Sequence, residues 1–207
     1  MRILFQGDSI TDADRTRLRC DYYLGNGYAL FVKAALDYEC PDFEFYNRGE
    51  SGNRIVDLYA RIKRDIINLK PDVMSILIGV NDVWHEFEES PNGVDADKFY
   101  KIYDMLISEV LEALPDIKIM IMEPFVLKGS GTIAHWDVFE PQVKKRAEMS
   151  RKVAEKYNLT FIPLQAGLDK LCQKAPAEFW LADGVHPTPA GHEFLKEEWL
   201  KAFTALY

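Results

Sequence analysis

Val73-Met74-Ser75-Ile76-Leu77-Ile78 runs straight into Gly79-Val80-Asn81-Asp82. Its apolar residues are continuous and do not alternate with polar ones as a half-exposed strand would require. A strand covered on both faces has this composition, and parallel sheets are covered on both faces because their crossover helices lie there. The run ends at a glycine followed by polar residues, which places a turn at the strand's carboxyl end. Comparable short runs occur at 3–6, 43–47, 117–122 and 160–163. Apolar residues at helical spacing fill 28–38, 55–69 and 99–114, and the charged stretch 138–157 reads as a helix with a solvated face. A last helix from about 189 to 205 completes the alternation. Strands and helices alternating at this period predict βαβ units in a three-layer α/β/α sandwich around a parallel sheet of about five strands.

The whole chain, 1–207, reads as a single domain, without internal repeat or Pro/Gly/Ser linker. Its 48% hydrophobic and 28% charged residues are ordinary for a globular protein. Lys+Arg 25 against Asp+Glu 33 leaves a net charge of −8 at pH 7. That acidic balance argues against a nucleic-acid partner, whose phosphates are met by Lys and Arg. No apolar run approaches the ~20 residues needed to span a bilayer. The N-terminus lacks the apolar core of a signal peptide, so a cytoplasmic location without membrane contact is expected. Cys20, Cys40 and Cys172 have no metal-ligand or CxxC spacing and read as reduced thiols.

In open α/β sheets ligands bind beyond the carboxyl ends of the strands. Four segments answer to that rule. Gly7-Asp8-Ser9-Ile10-Thr11-Asp12 follows the first strand and can present a hydroxyl and a backbone N–H, although Asp8 or Ser9 could equally cap a helix. Asn47-Arg48-Gly49-Glu50-Ser51-Gly52-Asn53 follows the second, where two glycines suit a turn with exposed N–H groups. No Gly-Lys-Ser/Thr follows, so it is not a phosphate-binding P-loop. Asn81 after the third strand carries an amide donor. In Asp183-Gly184-Val185-His186-Pro187 a carboxylate stands three residues from an imidazole, a spacing at which it can fix the ring's tautomer. His85, His135 and His192 have no such partner in the sequence and read as structural. The stretches 86–97 and 125–137 read as polar loops at the same sheet edge. Singly each segment has an ordinary explanation. Together Ser9, Gly52, Asn81 and His186 supply a nucleophile, two oxyanion donors and a base, the parts that acyl transfer requires.

These four blocks, spread from residue 7 to residue 187, resemble the signature blocks of the SGNH (GDSL) hydrolases. Asn81-Asp82-Val83-Trp84 and the run from Val185-His186-Pro187 to Ala190-Gly191-His192 are most similar to the branch of acetylxylan and xylo-oligosaccharide acetyl esterases. The family's first block often has Leu after the serine; Ile10 stands there, as it does in many carbohydrate-active members. The resemblance implies a flavodoxin-like sandwich with Ser9, Asp183 and His186 as the catalytic residues. It implies an oxyanion hole from Ser9, Gly52 and the Asn81 amide, no metal and no organic cofactor. Asp8, Trp84 and Trp180 are assigned to substrate contact, out of a wider set of aromatics (Tyr22, Tyr23, Phe125, Trp136). The implied partner is a small ester, an acetylated oligosaccharide above all, and homo-oligomerisation is compatible with the family. A lipid acylhydrolase or thioesterase on the same fold is the alternative, followed by a catalytically silent carbohydrate-binding protein.

Overall fold

The apolar runs are strands: β1 (Arg2–Gly7), β2 (Glu44–Asn47), β3 (Val73–Leu77), β4 (Lys118–Met122) and β5 (Thr160–Ile162). The protein is described by a computed structural model that covers residues 1–15 and 23–206. The strands pair in parallel in the order β2-β1-β3-β4-β5. Helices follow as α1 (Ser9–Asp12), α2 (Tyr28–Asp37), α3 (Ile55–Ala60), α4 (Ile62–Asp65), α5 (Asn81–Trp84), α6 (Ala96–Ala113), α7 (Trp136–Lys156), α8 (Gln165–Leu171), α9 (Ala177–Trp180) and α10 (Pro189–Thr204).

Successive side chains of a strand point to opposite faces, so the sheet sorts its own residues into two cores. Ile3, Phe5, Val73, Leu77, Met120 and Met122 meet α2 and α10, where Tyr28, Leu195 and Trp199 are buried. Leu4, Met74, Ile76, Ile119 and Ile121 meet α3, α6 and the later part of α7. Every residue of β3 is buried, which is why its sequence does not alternate. Phe5 stands edge-on to Tyr28 at 5.8 Å and lies 5.5 Å from Trp199, tying β1 to both helices of its face. The strand order reverses direction after β2. The carboxyl ends of β1 and β3 therefore open a crevice between diverging connections, the position at which such sheets bind ligands.

The stretch 55–69 is not one helix. It breaks at Arg61 (φ −113, ψ 14) into α3, α4 and a 3-10 turn at Ile67–Leu69. At this break the buried Arg61 guanidinium donates to Arg48 O, Asn53 Oδ1 and Gly7 O. The helix expected from 99 begins at Ala96, because Asp95 caps it by accepting Lys98 N–H at 2.9 Å. The loops 86–97 and 125–137 each contain a 3-10 turn, His85–Phe87 overlapping the first and Ile133–His135 within the second, and α7 already starts at Trp136. Cys40 and Cys172 are free and half-buried, whereas Cys20 lies outside the described residues. No helix among the described residues is long and apolar enough to cross a membrane.

Trp199 has no exposed surface and stacks on Phe203 at 5.1 Å as well as packing on Phe5. Trp199→Ala is expected to cost about 3–5 kcal/mol in urea unfolding. Lys201→Ala, on the exposed side of the same helix, should stay within about 0.5 kcal/mol of the parent.

Candidate active site

The crevice is built first from β1. A Cβ on Gly7 would lie 2.4 Å from the Leu77 carbonyl and from Thr11 Oγ1, so only glycine lets the chain turn this close to β3. Asp8 then caps α1 by accepting the N–H of Ile10 at 3.0 Å. The helix ends after a single turn, where Ala13 (φ 41) and Asp14 (φ 58) adopt left-handed backbone. Ser9, its first residue, keeps an N–H without an intrahelical acceptor. Its Oγ lies 2.9 Å from His186 Nε2.

His186 Nδ1 is 2.7 Å from Asp183 Oδ2, while Oδ1 accepts the N–H groups of Val185 (2.9 Å) and His186 (2.8 Å). A carboxylate can only accept, so Nδ1 carries the ring proton and Nε2 is free to accept from the Ser9 hydroxyl. Burial pushes the Asp183 carboxyl upward. The His186 ring and the two backbone donors outweigh it and hold the group at about 2. His186 is raised above its ordinary 6.5, first by the hydrogen bond to Asp183 and then by the charges of Asp183 and Asp8, against an opposing effect of burial. The turn carrying the pair is braced by the long loop after β4: Leu127 N–H donates to Gly184 O at 2.8 Å and Gly131 N–H to Asp183 O at 2.9 Å. Gly184 needs its positive φ of 98 there, and a Cβ would strike the Leu127 carbonyl at 2.4 Å.

Gly52 has φ +80, and nothing lies within 4 Å of where its Cβ would be, so its backbone is open to the crevice. Asn81 donates one amide hydrogen to Asn53 O at 3.1 Å, which holds its side chain against that loop and leaves the second for the crevice. A cleft of about 660 Å³ joins Ser9, Gly52, Asn81 and His186. It is also lined by Trp84, His85, Glu88, Asn26 and His192. Among the described residues no cluster of His, Cys, Asp and Glu could hold a metal ion.

A family model described as GDSL-like lipase/acylhydrolase matches residues 5–194. The chain belongs to this family. It is 33% identical to an acetylxylan esterase of Geobacillus stearothermophilus, over 97% of this chain and 92% of that one. In structure it is similar to a GDSL-like lipase of Parabacteroides merdae described as putative (TM-score 0.91, 36% identity, 98% of this chain and 95% of that chain). It is similar also to the Geobacillus esterase itself (TM-score 0.85, 31% identity, 97% and 93% covered). The protein is accordingly a carboxylic ester hydrolase on a five-stranded α/β fold.

In this GDSL hydrolase, five of the eight residues singled out from sequence, Ser9, Gly52, Asn81, Asp183 and His186, come together, with Trp84 beside them: its ring is 6.0 Å from that of His186 and 5.7 Å from Phe139. Asp8 and Trp180 do not reach the cleft. Asp8 is 1% exposed and turned inward to its capping bond, with burial pushing its carboxyl up to about 7. Trp180 donates its indole N–H to Ala175 O at 3.3 Å, and its carbonyl accepts Thr188 N–H at 3.0 Å, so it fastens α9 to the start of α10. Phe125 and Trp136 pack in or against the core, Tyr23 is exposed, and Tyr22 lies outside the described residues. Of the histidines, His135 stacks on Phe87 at 4.4 Å, whereas His85 and His192 line the cleft.

Sequence reasoning missed the residues that hold the Gly52 loop. Asn47 donates to Thr11 O (2.6 Å) and Leu24 O (2.7 Å) and accepts from Gly49 N–H (2.8 Å). Asp12 accepts both the N–H and the hydroxyl of Ser51, at 3.0 and 2.9 Å. Arg61 donates to Arg48 O (2.8 Å), Asn53 Oδ1 (2.9 Å), Gly7 O (3.3 Å) and Asp65 Oδ2 (2.9 Å). A polar residue at a strand end or a break in helical spacing is the signal each left. Neither says where the side chain goes. Arg61→Met should destabilise the protein by about 3 kcal/mol, since buried acceptors lose their donor. It should also lower kcat about 10–100-fold by loosening the Gly52 loop. Denaturant unfolding and ester hydrolysis check the two effects; unchanged kcat would mean that the loop is held without Arg61.

Proposed function

We propose that the protein removes small acyl groups, acetyl foremost, from carbohydrate esters of the xylan type through a Ser–His–Asp acyl-enzyme mechanism. The observation that carries the reading is the unbroken line from Ser9 Oγ through His186 to Asp183, opening on a cleft shared with three oxyanion donors. Ser9 Oγ attacks the ester carbonyl as its proton passes to His186 Nε2. The carbonyl oxygen, now an anion, is received by the N–H groups of Ser9 and Gly52 and by the Asn81 amide. Each such donor is typically worth about 3–4 kcal/mol in the transition state. His186 returns the proton to the leaving alcohol, then deprotonates the water that releases the acyl group. Asp183 stays ionised throughout and stabilises the imidazolium. Structures of the Geobacillus acetylxylan esterase include catalytic mutants at a serine, an aspartate and a histidine, the last two with the same separation as Asp183 and His186.

A long acyl chain would gain about 0.8 kcal/mol per buried methylene in an apolar groove. Among the described residues the cleft has small apolar walls at Ile10, Ala13, Pro187 and Pro189 and no long groove, and Asp14, Asn26, His85, Glu88 and His192 stand around its single indole, which suits a short acyl group on a polar alcohol. kcat/KM is therefore expected to fall steeply from acetyl to octanoyl p-nitrophenyl esters, and faster turnover of the octanoyl ester would overturn the sugar-ester assignment. Trp84→Ala should weaken hydrolysis of acetylated xylo-oligosaccharides more than that of p-nitrophenyl acetate, because only the sugar has a face to lay on the ring. Equal losses would make Trp84 a support for His186 instead.

His186 works as a base only when neutral, and its pKa is raised, so activity is lost as pH falls through a value above 6.5. Asp183→Asn removes the first cause of that rise. The acid limb of kcat/KM should move to lower pH, while the rate drops by about 10⁴-fold as the ring loses its fixed tautomer. Ser9→Ala should abolish turnover by several orders of magnitude with folding intact; near-normal turnover would refute the serine mechanism. A pH–rate profile on p-nitrophenyl acetate measures all three proteins.

A further inference from the structure

His192, on the first turns of α10, is held from behind. Its Nδ1 accepts the N–H of Tyr28 at 3.1 Å, and its ring stacks on Tyr28 and meets Phe31 edge-on, each at 6.5 Å. An imidazole whose Nδ1 accepts a backbone N–H carries its proton on Nε2. That second nitrogen has no acceptor among the described residues, and it is not one of the unpartnered atoms sealed in the interior. The residue is only 7% exposed, and it lines the cleft that holds Ser9 and His186. The remaining surface of a pinned ring is thus presented to the substrate. Burial, reinforced by the nearby His186 charge, holds its pKa down at about 4, so the donor stays neutral where His186 acts as a base.

The carbonyl oxygen of a bound ester is already met by Ser9, Gly52 and Asn81, and an acetyl methyl accepts nothing. The acceptors left for a further donor are on the alcohol half. The geometry points to His192 Nε2–H as the group that hydrogen-bonds a hydroxyl neighbouring the ester oxygen, selecting monoesters of vicinal diols over esters of simple alcohols. This rests on the ester-hydrolase reading of the cleft and not on the alcohol being a sugar.

Two esters of equal size test it: 2-hydroxyethyl acetate and propyl acetate, which differ by a terminal hydroxyl against a methyl. With rates normalised to alkaline hydrolysis, the wild-type protein should favour the hydroxy ester by about five- to tenfold in kcat/KM, the worth of one neutral hydrogen bond. His192→Asn keeps an acceptor for Tyr28 N–H, but its shorter amide places no donor where Nε2–H stood, so the ratio should fall to near one. A purely structural role would lower both rates together and preserve the ratio, which would overturn the inference. So would a ratio of one in the wild-type protein. Should the Asn variant fail to fold, Ser9→Ala protein titrated with either ester serves instead. The His192 Nε2–H proton resonance should shift with the hydroxy ester and not with propyl acetate, and equal shifts would refute the assignment. Hydrolysis of neither ester by the wild-type protein would overturn the underlying reading, and the inference with it.

Discussion

The guanidinium of Arg61 is what the carboxyl ends of β1 and β2 close around. Its donors meet backbone carbonyls from both strand ends, the Asn53 side chain and the Asp65 carboxylate. A buried cation is tolerated only when its donors are used in this way. Arginine suits the place because its fork is rigid, whereas a lysine would offer one point of charge. Arg61 stands at the interruption between α3 and α4, where its backbone leaves the helical region. The same bonds fix the loop carrying Gly52 relative to the end of β1, which leads into Ser9.

The rest of the site follows the same logic of satisfying buried polar groups across elements that share no hydrogen-bond ladder. Asn47 answers two carbonyls and one N–H at the meeting of β2 with the segments after β1. Asp82, beside Asn81, accepts the first N–H of α3 at 3.1 Å, while burial pushes its carboxyl up to about 8. Each contact joins two of the segments that carry Ser9, Gly52 and Asn81. A donor array of this kind is effective because it is already oriented before charge develops on the substrate. The mobility that would blur it is removed by bonds that do not touch the substrate at all.

Much of this was legible in the sequence, for a physical reason. Strands buried on both faces must be apolar without alternation, so 73–78 and its counterparts declared both the layers and the parallel sheet. Ser9, Gly52, Asn81, Asp183 and His186 were singled out because chemistry restricts which residue types can stand at strand ends in that combination, and the fold brings them together. The inward turn of Asp8, the fastening role of Trp180 and the hub at Arg61 were not, since a side chain's direction is set by partners remote in sequence. Asp8 shows the limit well: its adjacency to Ser9 suggested substrate contact, yet helix capping claimed the carboxylate first. His192 shows the opposite error, a residue assigned to structure that also presents a face to the cleft. The one-turn helices α5 and α9 left no periodic trace because they are shorter than the window in which a period can be read.

Ser9 and His186, 2.9 Å apart in space, are separated by 177 positions along the chain. During synthesis Ser9, the proposed nucleophile, leaves the ribosome just after β1, whereas His186, its proposed base, follows all five strands. A nascent, stalled or clipped chain that stops before residue 186 can therefore carry the serine, its helix cap and most of both cores without any means of drawing off its proton. On the proposed mechanism, ester hydrolysis requires a chain that extends at least through His186, so activity reports that the last block has been made.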